Sequence, residues 1–358
     1  MNISKKIFSL VKNNYQFIAC FILLGFIFII AINPSPYILA SLNGFLIWGK
    51  IVLPSLFCFF ILTKLLMQFD STLKIFNFLN KPFEKLFNTP KVGGYIFAMS
   101  AISGYPIGAK LISEFYENKV ITQEECFRLT TYCSTSGPMF IIGSIASSLF
   151  CNIKLGIVII ISHLLGALIN GLVFRKFTLN CVITKKKKDR LKTSYNIITK
   201  EAKILNNRNF EKNNDTLTKK IDLNEIMLNT ITSVLMVGGY IALCFTLLEI
   251  TVNTGILTPI VKIIDLILPK NLAISEGLVK GIVEVTNGCV YFANKNIPIK
   301  TLALVLTGLV SFGGFSIHLQ SQMFLSKCKI KYKFFLLSKI LHSIISIVLS
   351  AIFSIIIL

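Results

Sequence analysis

The chain has 358 residues, of which 54% are hydrophobic and 15% charged, with a mean hydropathy of +0.72. That is too apolar for a soluble globule and fits an all-α, polytopic helical protein held in a lipid bilayer. The net charge of +21 does not bring nucleic acid in as a partner, because the cations lie in loops beside apolar segments, where they set orientation, and no basic-aromatic module accompanies them.

Lys5, Lys6 and Lys12 precede the apolar run Phe17–Ile32. Its core is long for a signal peptide and is followed by Asn33-Pro34-Ser35-Pro36 rather than a small-residue cleavage site, so it reads as an uncleaved anchor with a cytoplasmic N-terminus. The Asn33–Pro36 run predicts a tight external turn before a second span, Leu42–Met67, kinked at Pro54. In Leu73–Phe87, the residues Phe76, Leu79, Phe83, Leu86 and Phe87 recur at helical spacing, which predicts a helix in the cytoplasmic interface, bent at Pro82. Val92–Ser113 is apolar but interrupted at Gly104–Gly108, so re-entry competes with spanning. Thr122-Gln123-Glu124-Glu125 is a capping box that starts a helix at Thr122, directed towards Ser134. Pro138–Phe150 and Leu155–Phe174 are the next apolar segments.

Arg175–Lys220 changes character, with 14 Lys/Arg against 4 Asp/Glu and few large apolar residues. It reads as a cytoplasmic linker whose Lys185–Lys188 run suits anionic lipid. The second half carries apolar segments at Ile231–Val252, Ile256–Leu268, Leu272–Ala293 and Ile297–Leu325. A basic loop with Lys327, Lys329, Lys331, Lys333 and Lys339 then precedes a last span, Ile340–Leu358. The expected organisation is an N-terminal membrane region (1–91), a first broken-helix unit (92–174), the linker (175–220), a second broken-helix unit (221–325) and a C-terminal loop and span (326–358). The nine cysteines, at 20, 58, 126, 133, 151, 181, 244, 289 and 328, form no C-x-x-C pair, so neither a disulfide framework nor a zinc site is expected.

Four interruptions punctuate these segments: Ser103-Gly104-Tyr105-Pro106-Ile107-Gly108, Ser134-Thr135-Ser136-Gly137-Pro138, Glu284-Val285-Thr286-Asn287-Gly288 and Ser311–Gln320. Proline removes a backbone donor and clashes with the carbonyl four residues back, so Pro106 frees that of Ile102 and Pro138 that of Ser134. In hydrocarbon such groups are tolerated only inside protein or against a water-filled cavity, which points to a polar site at membrane depth. Gly104-x-x-x-Gly108 also matches a close-packing pattern for membrane helices, although Pro106 within it favours a break. A shift of 176 positions places Asn118-Lys119 on Asn294-Lys295, Ile121 on Ile297, Thr131 on Thr307 and Gly137-Pro138 on Gly313-Gly314. Such internal symmetry is found in transporters whose sites lie where discontinuous helices meet.

The candidate solute-binding residues are Ser103, Gly104, Tyr105, Pro106 and Gly108 at the first interruption, and Ser134, Ser136, Gly137 and Pro138 at the second. Glu284, Thr286, Asn287 and Gly288 belong to the third, and Ser311, Gly313, Gly314, Ser316, His318 and Gln320 to the fourth. A charge at the bilayer centre costs about 2.5–3.5 kcal/mol on insertion scales, so Glu284 either serves a function or pairs with Lys280 one turn away. His318 offers ring nitrogens beside Ser316 and Gln320, or is a satisfied core histidine. Glu249 reads as interfacial, and His163 and His342 as structural. No H-E-x-x-H is present, Ser316 and His318 point roughly 200° apart on a helix, and Gly313-Gly314 lacks the Walker lysine. No catalysis, cofactor or metal is expected.

The runs SGYPIGAK (103–110), CSTSGPMFIIG (133–143), EVTNG (284–288) and SFGGFSIHLQ (311–320), in this order and spacing, resemble the sporulation integral membrane protein YlbJ family over roughly residues 40–325. The resemblance implies the nucleoside-recognition or Gate domain shared with nucleoside transporters and ferrous-iron transport proteins, a spore-forming bacterium, a role in sporulation and the inner membrane. It implies no established substrate. The function expected is transporter-like binding of a small polar solute between the broken-helix repeats. A membrane scaffold that docks sporulation membrane proteins is the alternative, and a homo-oligomer is compatible with either. Topology mapping tests the repeat: the two matched helices that follow Asn118-Lys119 and Asn294-Lys295 are expected to start from opposite sides of the membrane, and a common side excludes an inverted repeat.

Overall fold

The computed structural model describes residues 15–177, 223–266 and 274–358. Most of the basic linker lies outside them. Among the described residues the ordered elements are helical, and five stretches are long and apolar enough to cross a membrane: Pro34–Met67, Ile153–Phe174, Ile226–Asn253, Ile299–Cys328 and Tyr332–Ile357.

Helix α1 (Tyr15–Ile32) is a shorter apolar helix that turns Phe17, Phe21 and Phe28 outward. The expected Asn33–Pro36 turn contracts to Asn33 alone, because α2 (Pro34–Ile47) resumes at once with proline in its first turn, where the missing N–H has no intrahelical partner to lose. A π-helical turn, Trp48–Val52, joins α2 to α3 (Leu53–Gln68) and absorbs the misfit created by Pro54. Next come α4 (Asp70–Ile75) and α5 (Asn77–Phe87). The sequence placed the apolar face of α5 in the headgroups. Instead Phe83 and Phe87 are buried against Tyr132, with ring centroids 5.9 and 4.3 Å away. Period alone cannot tell a face that meets lipid from one that meets protein.

The first interrupted segment is a helical hairpin. Helices α6 (Gly93–Ser103) and α7 (Ile107–Glu117) fold back on each other, so that Ser100 lies against Gly108 on either side of the tip. The capping box then starts α8 (Gln123–Cys133) as expected: the Glu125 amide donates to Thr122 Oγ1 (3.3 Å) and the Thr122 amide to Glu125 Oε2 (2.8 Å). Past Ser134–Pro138 the chain continues as a π-helical segment, Met139–Leu149, and then α9 (Ile153–Phe174).

After the linker, α10 (Leu223–Asn253) packs on α2, where Gly44 sits on Ala242 and the Trp48 ring lies over Gly238. Helix α11 (Leu257–Asp265) leads to a second hairpin, α12 (Ile274–Val283) and α13 (Val285–Ala293). Gly281 meets Gly288, Gly277 meets Phe292, and the Tyr291 hydroxyl donates to Glu276 (3.1 Å), contacts symmetric about Glu284. Helices α14 (Ile299–Phe312) and α15 (Gly314–Leu325) form the second interrupted span.

The last helix, α16 (Tyr332–Ile357), begins at Tyr332 rather than near Ile340, which moves Lys339 out of the expected basic loop and into the helix, 2% exposed. Its Ser338, His342, Ser346, Ser350 and Ser354 recur every four residues and are all buried. Small and polar side chains let membrane helices approach closely and bond across the seam. Gly166 of α9 faces Ser346, Asn170 Nδ2 donates to Ser338 Oγ (3.0 Å), and Thr307 of α14 bonds Ser350 (3.1 Å).

The closest approach tests this packing. A Cβ on Gly108 would lie 1.9 Å from the Cys133 carbonyl oxygen, whereas one on Gly239 meets nothing within 4 Å. In detergent, Gly108→Ala is expected to lower the melting temperature by about 5 °C or more, while Gly239→Ala stays within about 2 °C of wild type.

Candidate functional site

Each interruption frees backbone groups, and the structure shows which partners take them up. At the first tip, Gly104 has φ +79° and presses backbone to backbone on Gly137: a Cβ there would lie 2.3 Å from the Gly137 nitrogen. Glycine is required twice over, by the left-handed φ and by the approach. At the second interruption the Ser136 amide donates to His163 Nε2 (2.9 Å). The Ser134 carbonyl accepts from the Tyr105 hydroxyl (2.5 Å) and from Lys339 Nζ (3.1 Å). Ser100 donates to the Cys133 carbonyl and lies 3.1 Å from Thr135 Oγ1.

At the third, Glu284 is the N-cap of α13 and accepts the Asn287 amide at 2.7 Å, with its side chain buried. The alternative pairing with Lys280 does not form, because Lys280 binds Glu276 at 2.7 Å. At the fourth, Gly313 (φ +94°) and Gly314 (φ +65°) end α14. His318 Nε2–H donates to the released Phe312 carbonyl (2.8 Å), and its Nδ1 accepts from the Tyr332 hydroxyl (3.0 Å).

The four interruptions meet around one cavity, with about 50 Å³ open to the centre of a water molecule, enough for a few waters. Its polar lining is Ser103, Gly104 and Tyr105 from the first tip, Ser136 and Gly137 from the second interruption, Glu284 and Thr286 from the second tip, and Ser316 and Gln320 from α15. The hydroxyls of Ser103 and Ser136 are buried without a hydrogen-bond partner. A buried hydroxyl lacking a partner costs about 1–3 kcal/mol, so two of them on one cavity wall favour an occupant that bonds them. The remaining lining is apolar: Val52 and Leu56 near the start of α3, Phe140, Val237 and Ile241 of α10, and Ile317.

The other candidates lie off the lining. Pro106 follows a cis peptide bond and caps α7, and Pro138 starts the π-helical segment. Gly108 and Gly288 pack within or against the hairpins, and Asn287 supplies the amide that Glu284 accepts. Ser134 contributes its carbonyl, Gly313 and Gly314 shape the turn, and His318 uses both ring nitrogens on protein. Ser311 bonds His163 Nδ1 at 2.9 Å.

Sequence reasoning missed the apolar walls, because Val, Leu and Ile are everywhere in spans and no local signal separates them. It reads His163 and His342 as structural but has no signal that places them together. Their rings lie 4.9 Å apart behind the second interruption, and His342 Nε2–H donates to the His163 carbonyl (2.9 Å). Among the described residues no group of His, Cys, Asp or Glu is placed to hold a metal ion.

Comparison with known proteins decides the family. The sporulation integral membrane protein YlbJ of Bacillus subtilis (strain 168) is 31% identical over 346 residues, covering 94% of this chain and 82% of the relative. The chain belongs to the YlbJ family. No family model matches it, and no solved structure does. In this YlbJ-family chain, the four motifs that carry the resemblance are the four interruptions around the cavity. The chain is an integral membrane protein with several apolar helices.

Proposed function

We propose that this chain is a transporter-like membrane protein serving spore formation, and that it binds a small polar solute in the cavity between the two hairpin tips and the two interrupted spans. The observation that carries the reading is the convergence itself. Residues from all four interruptions line one cavity, and two serine hydroxyls there have no partner. Irregular backbone at membrane depth is expected only where it is buried or lines such a cavity.

In this reading the solute takes hydrogen bonds from Ser103 and Ser136 and gives them to the Glu284 carboxylate, which lines the cavity alongside Thr286, Ser316 and Gln320. Val52, Leu56, Val237 and Ile241 cover its apolar side. The order of hairpin followed by interrupted span occurs in each half, which supports the 176-residue repeat and a site at the interface of the two copies. Movement of one hairpin tip against its partner span would expose the cavity to one side at a time, in the bacterial inner membrane with the N-terminus in the cytoplasm. No catalytic step is part of this reading.

A solute library tested by thermal shift in detergent checks the proposal. A ligand present at 100 times its Kd adds about 2.7 kcal/mol to the stability of the folded state, and at least one small polar solute is expected to raise the wild-type melting temperature. Glu284→Gln keeps a side-chain oxygen to cap α13 and is expected to insert normally. It should bind that solute at least about tenfold more weakly and fail to restore sporulation. No shift with any solute, together with retention of a membrane partner in a pull-down, would instead mark a docking scaffold.

A further inference from the structure

Lys339 is the group that the solute-binding reading does not use. It sits on α16, 2% exposed, and its Nζ donates to Tyr105 Oη (2.5 Å), to the Ser134 carbonyl (3.1 Å) and to His342 Nδ1 (3.2 Å). Three acceptors match the three protons of an ammonium. None is a carboxylate, and among the described residues the ion pairs Lys110–Glu114, Lys280–Glu276 and Lys327–Glu117 leave Lys339 out. An ionisable side chain inside a membrane bundle is costly and marks ion or proton pathways.

The neighbouring titratable groups are committed elsewhere. His163 of α9 must keep Nε2 unprotonated to accept the Ser136 amide, so its Nδ1–H faces Ser311. His342 must keep Nε2–H to donate to the His163 carbonyl, leaving Nδ1 for Lys339. His318 of α15 is held between Phe312 and Tyr332. Protonating either histidine of the pair sets N–H against N–H, at Ser136 or at Lys339. Tyr105, by contrast, can reverse its bond by rotating one hydroxyl, and it lines the cavity.

We propose that Lys339 is a proton-binding site linked to the cavity through the Tyr105 hydroxyl, so that the protein couples its solute to a proton. When the ammonium gives up a proton, Tyr105 Oη takes it and releases its own hydroxyl proton to water in the cavity; ammonium becomes amine and water becomes hydronium. The amine lone pair then accepts from Tyr105, and its two remaining N–H bonds go to the Ser134 carbonyl and His342 Nδ1. Discharge of Lys339 thus withdraws the Tyr105 hydroxyl from Ser134, loosening one bond between the first hairpin tip and the second interruption. The coupling role rests on the cavity being a solute site, but proton binding at Lys339 does not.

Difference titration of folded, solute-free wild type and Lys339→Met in detergent, from about pH 5 to about pH 10, tests it. Model-peptide lysine releases its proton only near about pH 10.4. Wild type is expected to hold one proton more than the variant at the acid end and to lose that difference by about pH 9. A one-proton difference persisting to about pH 10, or none at any pH, overturns the proposal. Should Lys339→Met fail to fold, Lys339→Arg, which keeps its charge, gives the mirror result: no difference in acid and one proton fewer in wild type by about pH 9. Tyr105→Phe is expected to leave the size of the step and slow proton release after a pH jump by about tenfold or more; unchanged release excludes the Tyr105 route. A silent solute screen with a positive titration removes the coupling role while leaving the proton site, so the two readings fail separately.

Discussion

A helix that stops inside a membrane leaves amides and carbonyls that lipid cannot satisfy, and the arrangement of this molecule follows from where those groups find partners. The tip of the first hairpin closes on the second interruption through the contact of Gly104 with Gly137. The freed polar groups of that junction are then met from behind, the Ser134 carbonyl by Tyr105 and Lys339 and the Ser136 amide by His163. The second hairpin uses a different device, with Glu284 turning its carboxylate onto the first amides of α13. At the fourth interruption His318 reaches back to the Phe312 carbonyl. What the protein partners leave over is a cavity with two serine hydroxyls and a carboxylate on its wall.

These partners need a rigid backing, and the seam of α9, α14 and α16 supplies it. A serine or histidine at every fourth position of α16 lets α9 and α14 approach closely enough for Gly166 to meet Ser346 and Thr307 to bond Ser350. The same stripe carries His342, and Lys339 stands one turn before it on the same helix. Packing and polar chemistry are therefore one feature on this helix. The outward faces of α1 and α2 show the opposite composition, with Phe21, Phe28, Ile38 and Leu39 exposed where lipid would cover them.

The interruptions were legible because proline and glycine are punctuation with a mechanism. Pro106 and Pro138 each release a helical bond that lipid could not replace, and Gly313 admits the positive φ at which a helix ends. The capping box at Thr122 stood out by its spacing, and Glu284 as a carboxylate within an apolar run, a residue type whose cost demands an explanation. The convergence of the interruptions on one cavity was not legible, since it depends on how the hairpins fold back. A lysine at the edge of an apolar run reads as an orientation signal, which puts Lys339 in a loop when only the sequence is considered. The four-residue spacing from Ser338 to Ser354 was the available clue that the last helix starts earlier and buries its polar stripe. The α5 face failed for a simpler reason: phenylalanine suits lipid and protein alike.

A solute site between the hairpin tips requires water-accessible space there, and thiol reactivity measures that directly. In a cysteine-free background in membrane vesicles, Thr286→Cys and Gln320→Cys, on the cavity wall, are expected to react with a small water-soluble methanethiosulfonate. Leu306→Cys, in the packed core of α14, is expected to remain inert under the same conditions. If the cavity positions prove as unreactive as Leu306→Cys, the interruptions enclose no aqueous site and the protein does not bind a polar solute between them.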